Sequence, residues 1–212
     1  MVALTVVPNL RWSATSRWSP TGRSLAVVIP GLWLFGLGDS LMIKGRLGTA
    51  PWAALSTGIA RHTPFDVGEI TIITSFVVLL GWIPLRERPG LGTIANAIIV
   101  GTSVKVMTDV LPEPSALASR VTFMLAGIPV VAAGGALYLT TQLGPGPRDG
   151  LMTGIAKRLD RPIARVRLTI EIIVLVASLL LGGQVGFGTF VFALTAGHTL
   201  AYFLGRLERW AS

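Results

Sequence analysis

The sequence has no cysteine, two histidines, two tyrosines and few charges. Without cysteine it has no disulfides, no thiolate metal ligands and no thiol nucleophile. His62 and His198 stand far apart in the chain, so no metal-ligand spacing exists and no metal site is expected. Charged residues make up 13% of the chain, where an ordinary soluble domain carries about 25%. Hydrophobic residues make up 51%, and the mean hydropathy is +0.68, the balance of a membrane protein. Catalytic signatures are missing too: there is no GxSxG, no HExxH and no phosphate loop ending in GK[ST]. The GLG and GPG runs lack the strand that a dinucleotide site requires. An enzyme is therefore not expected, and neither is a cofactor. A net charge of +8 would suit a nucleic-acid partner, but the basic residues are scattered between apolar runs and form no continuous face.

What the chain does contain is a repeat. Residues 47–61, LGTAPWAALSTGIAR, return 96 positions later as residues 143–157, LGPGPRDGLMTGIAK. At the same offset, without a gap, Gly31 and Gly38 fall on Gly127 and Gly134. Gly90, Gly92, Thr93, Ala97 and Gly101 fall on Gly186, Gly188, Thr189, Ala193 and Gly197. Self-similarity at a fixed offset means one unit built twice.

Six apolar stretches, 25–44, 67–85, 91–111, 121–141, 164–183 and 187–205, are each near the ~20 residues that cross ~30 Å of hydrocarbon as helix. Two shorter stretches, 51–62 and 147–158, reach only ~18 Å and are expected as re-entrant or interfacial helices. The predicted fold is all-α and polytopic, with six transmembrane helices in two three-helix repeats, 25–111 and 121–205. Each repeat holds one short helix, and a proline-rich linker, 112–120, joins them. Residues 1–24 read as a basic cytoplasmic tail, too long and polar for a cleavable signal, with Trp12 and Trp18 at the lipid headgroups. Residues 206–212 read as a second cytoplasmic tail. With the N-terminus inside, cytoplasmic segments hold thirteen Lys and Arg residues and outer segments four, which sets both termini in the cytoplasm. Three spans is an odd number, so the second repeat enters the membrane from the opposite side, an inverted-topology repeat. An eight-span alternative puts Arg86 and Arg88 outside and needs two twelve-residue crossings. A bundle this small is expected to form a homodimer.

The stretches GLWLFGLGDSLMIKGRLGTAPW (31–52), RERPGLGTIANAIIVG (86–101) and LGPGPRDGLMTGIAKR (143–158) resemble the YczE/YitT-like family of bacterial integral membrane proteins. The resemblance runs over roughly residues 25–205. It implies a protein of the cytoplasmic membrane, in a family without a firmly established activity. The placement of its members near regulators of vitamin B6 metabolism implies a B6-vitamer-like or related small metabolite. Similar proteins tend to carry Asp after the Pro-x pair in both repeats. Asp149 fits that pattern, whereas Ala53 stands at the equivalent position and breaks it.

Candidate site residues follow from the short helices and from charges within spans. Pro51-Trp52 and Pro147-Arg148-Asp149 begin the short helices, where proline suits the first helical position and the free N–H groups and positive dipole end attract anions. The competing reading makes Asp149 a first-turn cap of an interfacial helix that binds nothing. Ionisable residues inside spans mark function or face a partner. Asp39 and Lys105 fall at similar depth, so an ion pair is expected; snorkelling of Lys105 to the interface is the alternative. Glu171 and His198 fall near the middle of their spans and would form a proton-accepting pair, unless Arg167, four residues before Glu171, neutralises it locally. The recurring glycines are expected to let helices pack closely.

Together these features predict a secondary transporter or permease for a small polar, anionic or zwitterionic metabolite. Pro51, Trp52, Pro147, Arg148, Asp149, Glu171 and His198 are expected at its site. A channel of the same architecture and a non-transporting membrane partner or regulator of another protein are the alternatives.

Overall fold

The structure is a computed structural model and describes residues 7–211. Nine helices occur among the described residues, and no strand: α1 Gly22–Gly45, α2 Pro51–Ala60, α3 Val67–Leu80, α4 Trp82–Leu85, α5 Leu91–Val110, α6 Leu117–Thr140, α7 Pro147–Leu159, α8 Ile163–Leu180 and α9 Phe187–Ala211. Local signals set many of the boundaries. Thr21 with Ser24, and Asp66 with Glu69, form capping boxes at the starts of α1 and α3. Pro51 and Pro147 open α2 and α7 at the first turn, where the missing N–H costs nothing.

Five helices are long and apolar enough to cross a membrane: α1, α3 continued through α4, α5, α6 and α9. The sixth expected span, 164–183, is helix α8. It has 18 residues, and Arg165, Arg167 and Glu171 fall among them; α1 and α9 also carry three charges each, but spread over 24 and 25 residues. The bundle leaves Ile83, Leu168, Ile173, Leu180 and Phe190 exposed on its outer surface.

The repeat reappears as reciprocal contacts. α1 and α6 cross through paired glycines: a Cβ on Gly38 would strike Val131 and the Gly127 carbonyl, and one on Gly134 would strike Phe35 and the Gly31 carbonyl. Moving each residue by 96 positions turns the first contact into the second. The partner index falls as the other rises, so α1 and α6 run antiparallel. The connecting turns obey the same exchange. Arg46 and Gln142 are left-handed at φ 54° and 56°, and Gly48 and Gly144 have φ of 109° and 117°. Those two φ values, with Thr189 and Thr93 crowding the missing Cβ positions, leave room only for glycine. Gly92 N–H donates to Leu143 O at 2.8 Å, and Gly188 N–H donates to Leu47 O at 2.7 Å. Gly90, Gly92 and Gly186 thus admit a crossing loop to a helix start, and Gly188 does so while also packing α9 against Met124 of α6.

The short helices exchange as well. Trp82 Nε1 donates to Pro147 O at 2.9 Å, and the equivalent Ser178 Oγ donates to Pro51 O at 3.3 Å. α2 packs between α3 and α8 and buries most of its residues, so it is an interior element of the bundle.

The N-terminal segment differs from a free tail. Trp12 is buried in the protein, with its Nε1 donating to Thr140 Oγ1 at 3.1 Å and its ring 5.8 Å from Trp210. Ala14 N–H donates to Thr141 O, and Trp18, exposed, donates to Pro89 O. A tryptophan with a protein acceptor in reach satisfies its N–H there. The segment accordingly binds across the ends of α5, α6 and α9.

Candidate functional site

The second residues of α2 and α7, Trp52 and Arg148, occupy the same position in the repeat, and they meet. Arg148 lies with its guanidinium carbon 5.2 Å from the Trp52 ring centroid, a cation–π contact. Around this pair is a cavity of about 260 Å³ between α1, α2, α6, α7, α8 and α9. Pro51, Trp52, Arg148, Asp149 and Glu171 all line it, and so does Asp39. Pro147 does not; its carbonyl is held by Trp82 and fixes where α7 begins.

A second cavity, of about 40 Å³, lies at the repeat-equivalent place. Its walls Thr71, Ser75, Asn96 and Val100 correspond at the 96-residue offset to Arg167, Glu171, Phe192 and Ala196 of the large cavity. Phe35, Tyr138, Arg148 and Asp149 line both.

The two cavities differ because their walls differ. On the small side α3 packs on α5: a Cβ on Gly68 would collide with the Gly101 carbonyl and Lys105, and one on Gly101 with Gly68 and Ile72. Lys105 Nζ then bridges that contact, 2.8 Å from Asp66 Oδ2 and 2.7 Å from Glu69 Oε1. On the large side the equivalents of Gly68, Lys105, Asp66 and Glu69 are Ala164, Ala201, Pro162 and Arg165, which cannot make that bridge. α8 and α9 share no packed interface, and Gly197 has open space where a Cβ would stand. The close packing expected at Gly101 is present; at Gly197 it is absent.

Two expected pairs are replaced. Lys105 pairs with Asp66 and Glu69, not with Asp39. The reason is rotation: Ser40 faces α5, with its Oγ 3.4 Å from Val104 O, and one residue turns the helix by about 100°, so Asp39 points to the cavity. Glu171 pairs with Arg167, whose Nε donates to Oε1 at 2.9 Å, and not with His198. His198 is exposed on α9 with Nδ1 3.2 Å from Leu194 O, while its neighbour Gly197 lines the cavity. The i,i+4 pair on one helix forms without closing α8 on α9.

Several polar groups in the cavity wall lack protein partners. Asp39, 2% exposed, has an Oδ1 without a hydrogen bond, and the buried Trp52 Nε1 has none either, among the described residues. None of the ion pairs among the described residues uses Arg148. Tyr138 holds the α7 entrance: its hydroxyl accepts from Gly146 N–H at 3.0 Å and donates to Asp149 Oδ2 at 3.3 Å.

Tyr138 was not legible as a site residue, and Arg167 only as a neutraliser. A signal was nevertheless present, because charge enters where the repeat breaks its own symmetry. Asp39, Arg148, Asp149, Arg167 and Glu171 stand opposite Gly135, Trp52, Ala53, Thr71 and Ser75.

A family described as a family of unknown function (DUF6198) matches residues 22–205. The chain belongs to this family. It is 43% identical over 204 residues to an uncharacterized protein of Haemophilus influenzae, covering 96% of this chain and 94% of the relative. It is 30% identical over 177 residues to the uncharacterized membrane protein YczE of Bacillus subtilis, covering 82% of each. A third relative, the uncharacterized protein YyaS of Bacillus subtilis, is 28% identical over 183 residues, covering 84% of this chain and 91% of that one. No solved structure matches the chain. The apolar helices and the YczE relative together make this YczE-like chain a multi-pass membrane protein.

Proposed function

We propose that the protein is a secondary transporter of a small polar or anionic metabolite, working by alternating access between two inverted repeats. The observation that carries this reading is that Tyr138, Arg148 and Asp149 line two repeat-equivalent cavities of unequal size, about 260 Å³ and about 40 Å³. Antiparallel packing of the equivalent helices α1 and α6 supports an inverted repeat with its pseudo-twofold axis in the membrane plane. Six spans then cross the membrane, α8 among them, with Arg167 and Glu171 toward the cavity. α2 and α7 are read as re-entrant, with their N-termini meeting at the midplane.

The charge bias of the sequence puts both termini in the cytoplasm of a bacterial inner membrane. The Gly68–Gly101 closure then shuts the outer side, and the gap between α8 and α9 opens inward. Transport exchanges the two arrangements: α8 closes on α9 while α3 parts from α5 and the Lys105 bridge opens. Such a swap needs two packings of similar energy, which repeat-related halves provide.

The test is reconstitution. Metabolites from a panel of amino acids, carboxylates, sulfonates and B6 vitamers are first chosen by thermal stabilisation of the purified protein; a ligand at 100 times its dissociation constant adds about 2.7 kcal/mol. Saturable uptake of a stabilising compound into proteoliposomes, lost in Arg148→Ala/Asp149→Ala, is the expected result. Flux that grows linearly with concentration would identify a channel. A stabilising ligand that never crosses would leave a membrane partner or regulator.

A further inference from the structure

We infer that the large cavity binds a small aminocarboxylate zwitterion, its carboxylate held by Arg148 and Trp52 and its ammonium group by Asp39. The inference rests on the same cavity as the transport reading and names the ligand class for it.

Unmet hydrogen-bonding capacity argues this most directly. Buried polar groups are almost always paired, and a lone one costs about 1–3 kcal/mol. Three groups here stand open at one cavity. Arg148 supplies a guanidinium stacked on Trp52, so the fork is held in orientation while its N–H groups have no carboxylate partner among the described residues. Trp52 supplies a buried Nε1–H without an acceptor, and Asp39 a buried Oδ1 without a donor. Two of the three are donors suited to a carboxylate, for which arginine is the matching fork. The third is an acceptor suited to an ammonium group.

The mix of open donors and an open acceptor, rather than net charge, selects against simpler ligands. Arg167 and Glu171 neutralise each other across one turn. What remains is one cation, Arg148, and two carboxylates, Asp39 and Asp149, the latter accepting from Tyr138. A plain anion would meet Arg148 but leave Asp39 unpaired beside an added negative charge. A plain amine would meet Asp39 but leave Arg148 and Trp52 Nε1 open. A molecule carrying both charges satisfies all three groups. The cavity volume equals roughly nine waters at liquid density, room for one small metabolite. The rest of the wall is apolar, with Phe35, Ile128, Val131, Leu139 and Phe192 placed to receive a hydrocarbon side chain.

The experiment is binding, by calorimetry and thermal shift, on the purified full chain in detergent. The probes are L-alanine, L-leucine, L-phenylalanine and γ-aminobutyrate, each with its matching amine and its matching carboxylate. At least one aminocarboxylate is expected to bind tenfold or more tightly than both of its single-charge analogues. Arg148→Gln is expected to reduce that ligand to the level of its amine, and Asp39→Asn to the level of its carboxylate. Trp52→Phe keeps the ring, removes Nε1–H, and is expected to weaken binding severalfold. Near-isosteric Asp39→Asn and Trp52→Phe guard against misfolding, checked by gel filtration. Equal binding of the carboxylate alone, an unaffected Asp39→Asn, or no binding of any aminocarboxylate by folded wild-type protein would overturn the inference. Binding without uptake into proteoliposomes would keep the ligand assignment and remove transport.

Discussion

The half of the molecule formed by α3, α5 and α7 and the half formed by α8, α9 and α2 have the same design and opposite closure. In the first, Gly68 and Gly101 bring two helices into backbone contact, and Lys105 ties their ends to Asp66 and Glu69. In the second, Ala164 replaces one glycine, a Cβ on Gly197 would meet open space and the bridging residues are missing. A repeat therefore conserves the frame of contacts while a few side chains decide which half is shut. In a membrane that decision falls to close packing and polar bridges, because lipid is as apolar as the helix faces.

The largest break in this comparison comes at Trp82 and its equivalent Ser178. Trp82 is 2% exposed, and its ring fills the space left by Gly150. Trp82→Ala is expected to cost at least about 3 kcal/mol, a fall of roughly 6–12 °C in melting temperature for a chain of this size. Ser178→Ala removes a hydrogen bond of about 1 kcal/mol and lowers it far less. Thermal unfolding in detergent reads both.

Gly101→Val and Gly197→Val sharpen the comparison at the two helix pairs. The first forces Ile72 and the Gly68 backbone apart at an overpacking cost of about 1–3 kcal/mol. The second meets open space and is expected within about 0.5 kcal/mol of wild type. Equal effects on the melting curve would mean that the two interfaces are alike.

The absence of cysteine makes accessibility a direct probe. Phe192→Cys, in the large cavity, is expected to react with a maleimide at least about tenfold faster than the equivalent Asn96→Cys in the small one, a free-energy gap of roughly 1.4 kcal/mol. Adding Lys105→Met to Asn96→Cys removes the bridge and is expected to raise its rate.

The smallest effect lies at Asp66, which caps α3. Burial alone would raise its carboxyl, but the hydrogen bond from Lys105 and the backbone N–H groups of Glu69 and Gly68 outweigh this and hold it below the usual carboxylate range. A depressed folded value means that its contribution is present near neutral pH and fades as the pH falls through the folded value. The melting-temperature gap between wild type and Asp66→Asn is therefore expected to shrink below about pH 4.

Periodicity and composition determined much of this protein by themselves. Runs of some twenty apolar residues can only be helices in lipid, and an offset of 96 that preserves Gly48, Pro51, Gly144 and Pro147 repeats the turns that those residues force. Trp52, Arg148 and Asp149, which line the large cavity, were legible as candidates because they begin the two short helices. Pairing was not. Asp39 and Lys105 share a depth, and Glu171 and His198 share a level, yet depth along the membrane leaves the angle around each helix open. Only tertiary structure set that angle, turning Asp39 to the cavity, Lys105 to the end of α3 and His198 outward. It also decided that α3 packs closely on α5 while α8 stands off α9, because such packing depends on whether two distant glycines face each other.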